Sequence, residues 1–101
     1  MSALASTCIQ IAARAAGQYL AKEGKCPDGI ANLSTPESDE LFRLVQDELK
    51  RGMAQALQDA KDALECNMPA QAEQTFAASM AICGINGAKA FLALHPEYRK
   101  G

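Results

Sequence analysis

The sequence contains no tryptophan, and only 5% of its 101 residues are aromatic. Aromatic side chains usually supply large buried areas, so the core must be built mainly from aliphatic and alanine side chains. Alanine is abundant along the whole chain, and it favours helices because ordering it costs no side-chain entropy. Alanine also buries little area, so a chain of this size gains modest hydrophobic stabilisation, for which self-association is a common remedy.

Neither sign of charge dominates, since 10 Lys and Arg residues stand against 12 Asp and Glu residues, for a net charge of −2. The densest basic pair, Lys50-Arg51, comes directly after the acidic Asp47 and Glu48. A nucleic-acid-binding protein usually concentrates its basic residues on one face. The composition therefore disfavours nucleic acid as a partner.

Long apolar runs are also missing. Residues 1–20 lack both the positive leader and the continuous apolar segment of a secretory signal. The longest uncharged stretch, residues 74–88, contains Gln, Thr, Ser and Asn, and it is shorter than the roughly 18 apolar residues of a membrane span. We therefore expect a cytoplasmic protein that is not inserted in a membrane. A short, alanine-rich chain of this kind is typical of small bacterial or phage accessory proteins.

The four cysteines, Cys8, Cys26, Cys66 and Cys83, never stand two or three residues apart. This spacing excludes the CxxC pair of redox and zinc motifs. Without an export signal we expect four free thiols. Cys8 and Cys83 fall on apolar helical faces, whereas Cys26 and Cys66 lie near predicted helix ends, where more exposure is expected and the redox state stays open.

Apolar residues recur at steps of three and four, which predicts an all-α protein. We interpret it as an antiparallel three-helix bundle. Local signals mark the ends: Thr35 as N-cap followed by Pro36, Gly24 as a left-handed cap of the first helix, and His95-Pro96 after the third. The predicted organisation is a single helical domain over residues 1–101, with helices at about 2–23, 35–66 and 69–94 and a turn-rich connection at 24–34.

The first and third predicted helices are apolar on two sides. Apolar surface on that scale usually marks a partner surface, so we expect homodimerisation to complete the bundle. Gly84 and Gly87 on the third helix would allow another backbone to approach closely. The candidate interface residues are Ile9, Ala16, Ile82, Ile85 and Leu92.

No set of residues predicts catalysis, a cofactor or a metal. His95 is the one histidine, and we interpret it as a polar cap on a helix end rather than as a base or a ligand of metal or haem, because no acid or nucleophile stands at a recognisable spacing from it. A metal-dependent hydrolase would need Glu37 and Glu40 to converge with Asp59 and Asp62. On one helix these two groups lie roughly 33 Å apart.

The leading hypothesis is a small non-enzymatic helical protein that acts as a homodimer and binds or modulates another protein. The first alternative is a dimeric DNA-associated regulator that brings Lys50-Arg51 and Arg99-Lys100 side by side. The second alternative is the metal-dependent all-α hydrolase. The partner's identity, the dimer geometry and a small-ligand cavity inside the bundle all stay open at this point.

Overall fold

The computed structural model describes the backbone of residues 3–100 and the side chains of residues 7–100. This part of the chain is all-helical, as predicted. Helix α1 spans Ala3–Glu23, α2 spans Thr35–Glu65 and α3 spans Pro69–Leu94. Two short 3₁₀ helices, Gly29–Asn32 and Pro96–Tyr98, follow α1 and α3 respectively.

Helix α3 lies at the centre and runs parallel to α1. The Cα of Gly84 faces the backbone of Ala12, while Gly24, just past α1, lies against Leu92. The pairing therefore advances in the same direction along both helices. A Cβ added at Gly84 would lie 1.9 Å from the carbonyl oxygen of Ala12, so these two backbones approach closely because residue 84 has no side chain.

Helix α2 runs antiparallel to α3 on its other side. Val45 packs against Gly87, and farther along α2 Gly52 packs against Cys83. The predicted close approach to glycines of α3 therefore occurs, but it is made by helices of the same chain. Helix α1 packs mainly on α3 and only lightly on α2, so the two outer helices diverge and leave a groove between them.

The core follows the central helix. Phe91, Met80, Leu20, Leu41 and Val45 are its largest fully buried side chains. The predicted interface residues Ala16 and Leu92 also belong to this core, being 0% and 5% exposed. Both side chains are covered by neighbouring helices of the same chain, so neither lies on its exposed surface.

Local signals at two helix ends act differently from the prediction. Ser34, not Thr35, is the N-cap of α2, and its side chain and that of Glu37 form a reciprocal capping box. Among the described residues only Gly29 and Asn67 have positive φ, so Gly24 is not a left-handed cap. A Cβ at Gly24 would instead lie 2.8 Å from the carbonyl oxygen of Leu20, which shows that this position needs glycine for space.

The connection after α1 and the C-terminal tail close one end of the molecule. The backbone N–H of Lys25 donates to the carbonyl of Tyr98 at 2.6 Å. The ammonium group of Lys100 donates to the carbonyls of Ala21 and Lys22 at 3.2 and 2.9 Å, which satisfies the end of α1. Cys26 is fully buried beneath this closure, contrary to the expected exposure.

Candidate functional site

The groove between α1 and α2 is a strongly apolar concave surface. Cys8 and Ile9 line it from α1, and Leu49 and Met53 line it from α2, around a volume of about 410 Å³. Gln46 and Lys50 stand at its edge. Its walls are therefore almost purely hydrophobic, with a single cationic side chain at the rim, and they offer no acid, base or nucleophile in an ionised form.

The apolar lining continues along α2 beyond the groove. Leu49, Met53, Leu57, Ala60 and Leu64 recur at steps of three and four, so they lie along one side of the helix; we call this row the apolar strip. Its beginning is covered, since Leu49 is only 7% exposed, whereas Leu57 and Leu64 are 47% and 56% exposed. Half of the apolar strip is thus left open to solvent.

The exposure has a geometric cause. Since Ala12 is level with Gly84 and the two helices are parallel, the first described residue of α1, Ala3, is level with about residue 75 of α3. The turn between α2 and α3 projects past that level. Met68 in this turn is 50% exposed, so it extends the open apolar surface beyond Leu64 at the end of the hairpin.

The three remaining predicted interface residues do not meet on one surface. Ile9 lines the groove between α1 and α2. Ile82 is 56% exposed and borders the junction of α2 and α3, while the half-buried Ile85 borders the junction of α1 and α3. Ile82 and Ile85 therefore belong to the outer face of α3, away from the groove.

A cluster of polar side chains lies at the closed end of the molecule, where α2 begins and α3 ends. Nε2 of His95 lies 2.6 Å from a carboxylate oxygen of Glu40, and its Nδ1 lies 3.4 Å from Glu97. The Tyr98 hydroxyl lies 2.9 Å from both carboxylate oxygens of Glu37 and donates to them. We call these five residues the His95 cluster.

Three groups of the His95 cluster have pKa values that are shifted by their neighbours. The hydrogen bond that His95 donates to Glu40, with a smaller contribution from the one to Glu97, raises the pKa of His95. Hydrogen bonds from Ser34 and then from Tyr98 lower the pKa of Glu37. The Glu37 carboxylate in turn raises the pKa of the Tyr98 phenol. His95 and Glu40 stand 55 positions apart, so no local spacing in the sequence indicates this contact.

The second acidic pair of the hydrolase hypothesis, Asp59 and Asp62, lies far from the His95 cluster. Asp59 and Asp62 accept hydrogen bonds from Gln55 and Gln58, each four residues earlier on α2. Helix α2 is continuous between Glu40 and Asp59, so these carboxylates stand about 28 Å apart. The four-carboxylate ligand set of the hydrolase hypothesis is therefore not assembled within this chain.

The basic pairs also stay apart. Arg51 forms an ion pair with Glu48 at 2.6 Å, and Lys100 is engaged by the end of α1. Lys50-Arg51 lies midway along α2, whereas Arg99-Lys100 lies at the closed end. Within one chain the described residues thus form no continuous basic face of the kind that binds a duplex.

Three of the four thiols are buried, namely Cys8, Cys26 and Cys83, and Cys66 is exposed. Burial raises the pKa of each buried thiol, and Glu37 and Glu48 add to the effect at Cys26 and Cys83. The Cys83 thiol donates to the carbonyl of Glu48 at 3.5 Å. A raised pKa opposes thiolate formation, so the buried cysteines act as small apolar side chains.

No protein-family model matches the chain, and neither curated proteins nor solved structures include a match to it. Helix α3 is long and apolar enough to cross a membrane by length and composition alone, with 39% of its most apolar window buried inside the molecule. The core helix of a soluble protein passes the same test, so this finding assigns no location. What the groove, the apolar strip and the His95 cluster can bind therefore follows only from the chemistry of their own residues.

Proposed function

We propose that this chain is a small non-enzymatic helical interaction protein that forms a homodimer through the apolar strip of α2. The observation that carries the proposal is the row of half-exposed side chains that continues the groove, Leu57 at 47%, Leu64 at 56% and Met68 at 50% exposed. Exposed apolar surface that is continuous with a hydrophobic groove is typical of a helix-binding surface.

A second copy of the chain fits the apolar strip by shape. When two α2 helices pair in antiparallel orientation about a two-fold axis between Leu57 and Ala60, Met53 of each copy lies opposite Leu64 of the other. Leu57 of each copy then enters the space beside the small Ala60 of the other, as in the knobs-into-holes packing of antiparallel bundles. A symmetric pairing of this kind uses the same surface on both copies.

A second copy also fits by charge. Lys50 and Glu65 are both exposed and stand about 60° and about 120° around α2 from the middle of the apolar strip, on the side away from α3, so their contact requires both side chains to extend toward the partner. Residues on the same edge face one another across an antiparallel helix pair. The pairing therefore brings Lys50 of each copy near Glu65 of the other, and the two-fold axis makes this contact twice.

The expected affinity of the dimer determines how its mass must be measured. Burying a half-exposed leucine or methionine contributes on the order of 1 kcal/mol, and three such side chains from each copy give roughly 6 kcal/mol before closure of the groove adds to it. Association costs at least about 4 kcal/mol of translational and rotational freedom. The dimer is therefore expected to be weak and to depend on protein concentration, so a mass at one concentration does not test it.

The test is sedimentation velocity of the full chain across a concentration series, with two variants matched for exposure. Leu64 and Ile82 are both 56% exposed, but only Leu64 lies on the apolar strip. We expect the unmodified chain and Ile82→Asp to approach twice the monomer mass, and Leu64→Asp to remain monomeric. Circular dichroism of each variant checks that the helices are retained.

The reverse result decides against the apolar strip. If Ile82→Asp dissociates the dimer and Leu64→Asp does not, the outer face of α3 is the interface. If the unmodified chain stays monomeric at every concentration, homodimerisation is wrong. The further role of binding or modulating another protein in the cytoplasm rests on the same surface and would then require that partner to cover the apolar strip directly.

A further inference from the structure

We infer that the His95 cluster binds one Zn²⁺ ion. One ligand atom from each of Glu37, His95 and Glu97 lies within 4.8 Å of the other two. These residues reach the site from separate elements, since Glu37 lies in the first turn of α2 and the other two flank the end of α3. This inference concerns the closed end of the molecule and is independent of the proposed dimer.

The separation between His95 and Glu97 fits a tetrahedral ion better than it fits a hydrogen bond. Zn–N and Zn–O bonds of about 2.0–2.1 Å place tetrahedral ligands roughly 3.3–3.4 Å from one another. The Nδ1 atom of His95 and the Glu97 oxygen are 3.4 Å apart, which is long for a hydrogen bond to a charged acceptor. The carboxylate of Glu37, whose ligand atom lies within 4.8 Å of the other two, must move closer by up to about 1.4 Å to complete three protein ligands, and this movement lengthens its hydrogen bonds with Ser34 and Tyr98.

The arrangement around His95 is the outer shell that a zinc-binding histidine requires. A histidine that ligates through one ring nitrogen usually donates its other N–H to a carboxylate, which fixes the ring and increases its basicity. Here Nε2 faces Glu40 at 2.6 Å, so Nδ1 is left for the ion. Tyr98 similarly donates to Glu37 and orients that carboxylate.

The ligand chemistry selects the ion. A nitrogen donor with two carboxylates suits Zn²⁺, whereas Mg²⁺ and Ca²⁺ favour sites made of oxygen alone. His95 is 22% exposed and Glu97 is 63% exposed, so a fourth position is open to water. A bound ion would connect the start of α2 to the tail that closes α1, and it would therefore stabilise the closed end of the molecule.

The test is titration of the full chain with ZnCl₂, followed by calorimetry and by ¹H NMR of the histidine ring. Because the chain contains one histidine, every ring signal reports on His95. All samples carry Cys66→Ser, which removes the exposed thiol as a competing ligand. We expect one equivalent of Zn²⁺ to bind, to shift the His95 signals, and to raise the thermal unfolding temperature by several degrees.

Three variants make the outcome decisive. His95→Gln should weaken Zn²⁺ binding by at least tenfold and abolish the thermal shift, and Glu40→Gln should weaken it roughly tenfold through the outer shell. The double variant Asp59→Asn/Asp62→Asn removes an acidic pair elsewhere on α2. It should bind Zn²⁺ as tightly as the reference chain, which carries Cys66→Ser alone. Equal binding by the reference and by His95→Gln, or no change in the ring signals, would overturn the inference.

Discussion

The contact between α1 and α3 makes a strong prediction, because alanine is normally the better residue in a helix. Gly84 lies within α3, and a Cβ there would lie 1.9, 2.7 and 2.9 Å from three backbone atoms of Ala12. Ordinary contacts of a Cβ begin near 3.4 Å. The Gly84→Ala substitution must therefore move α1 and α3 apart by more than an ångström.

The magnitude follows from two opposing contributions. Overpacking of a close contact costs typically 1–3 kcal/mol, and the clash with main-chain atoms, which no rotamer change relieves, places Gly84→Ala at about 3 kcal/mol. Replacing glycine by alanine within a helix returns about 1 kcal/mol. The net expectation is a loss of about 2 kcal/mol in the free energy of unfolding.

Gly17 on α1 provides the matched control. It is also a glycine within a helix, but the atom nearest to an added Cβ is a side-chain carbon of Ile30 at 3.7 Å, an ordinary contact distance. Gly17→Ala should therefore raise stability by about 0.5–1 kcal/mol. Urea unfolding of both variants and the unmodified chain, at one protein concentration, measures the difference. A Gly84→Ala variant as stable as the unmodified chain would refute the close α1–α3 packing.

Two further predictions concern the start of α2 and the closed end. Ser34→Ala removes the side chain that accepts from the Glu37 N–H, and it should cost about 1 kcal/mol in urea unfolding; an unchanged midpoint would contradict the capping role. Since Glu40 raises the pKa of His95, their contact stabilises the fold fully below the ordinary histidine pKa and stops doing so as the pH rises through the raised value. In the presence of a chelator, Glu40→Gln should lower the pKa read from the His95 ring signals, and its stability deficit should shrink as the pH rises; a deficit independent of pH would contradict this reading.

The helices themselves are predictable from local patterns. Periodic apolar residues and the proline and glycine punctuation place the end of α1 and both ends of α2 and α3 within about one residue of the observed bounds. The predicted start of the first helix at about residue 2 lies outside the described residues. The predicted N-cap of α2, Thr35, is one residue away from the observed N-cap, Ser34, because both are good N-cap residue types. Glu37 stands three positions after Ser34, and this capping-box spacing is the signal in the sequence that favours Ser34.

Two of the predicted interface residues are buried within the chain for a physical reason. Periodicity shows how many sides of a helix are apolar, but it does not show whether the same chain or a partner covers them. Gly84 and Gly87 allow α1 and α2 to approach α3 from two sides, so Ala16 and Leu92 become core residues. The open part of the apolar strip depends on how α1 is placed along α2, and this register is a tertiary property.

The His95 cluster lies beyond sequence patterns for a related reason. From the neighbouring sequence alone, Glu37 and Glu40 are predicted to be acids that favour the positive end of a helix dipole. His95 is predicted from its neighbours to be a helix cap. Only the antiparallel pairing of α2 and α3 brings residues 55 and 61 positions apart into contact.

Reversal of one charge pair tests the homodimer most directly, because rescue by a second substitution cannot result from misfolding. In the proposed pairing each Lys50 lies near Glu65 of the second copy, and two such contacts of roughly 0.2–1 kcal/mol each change from attraction to repulsion in Lys50→Glu. The dissociation constant from sedimentation should rise roughly tenfold in Lys50→Glu and return close to its original value in Lys50→Glu/Glu65→Lys. If Lys50→Glu and Lys50→Glu/Glu65→Lys weaken the dimer equally, or if neither affects it, antiparallel pairing of the two α2 helices is contradicted.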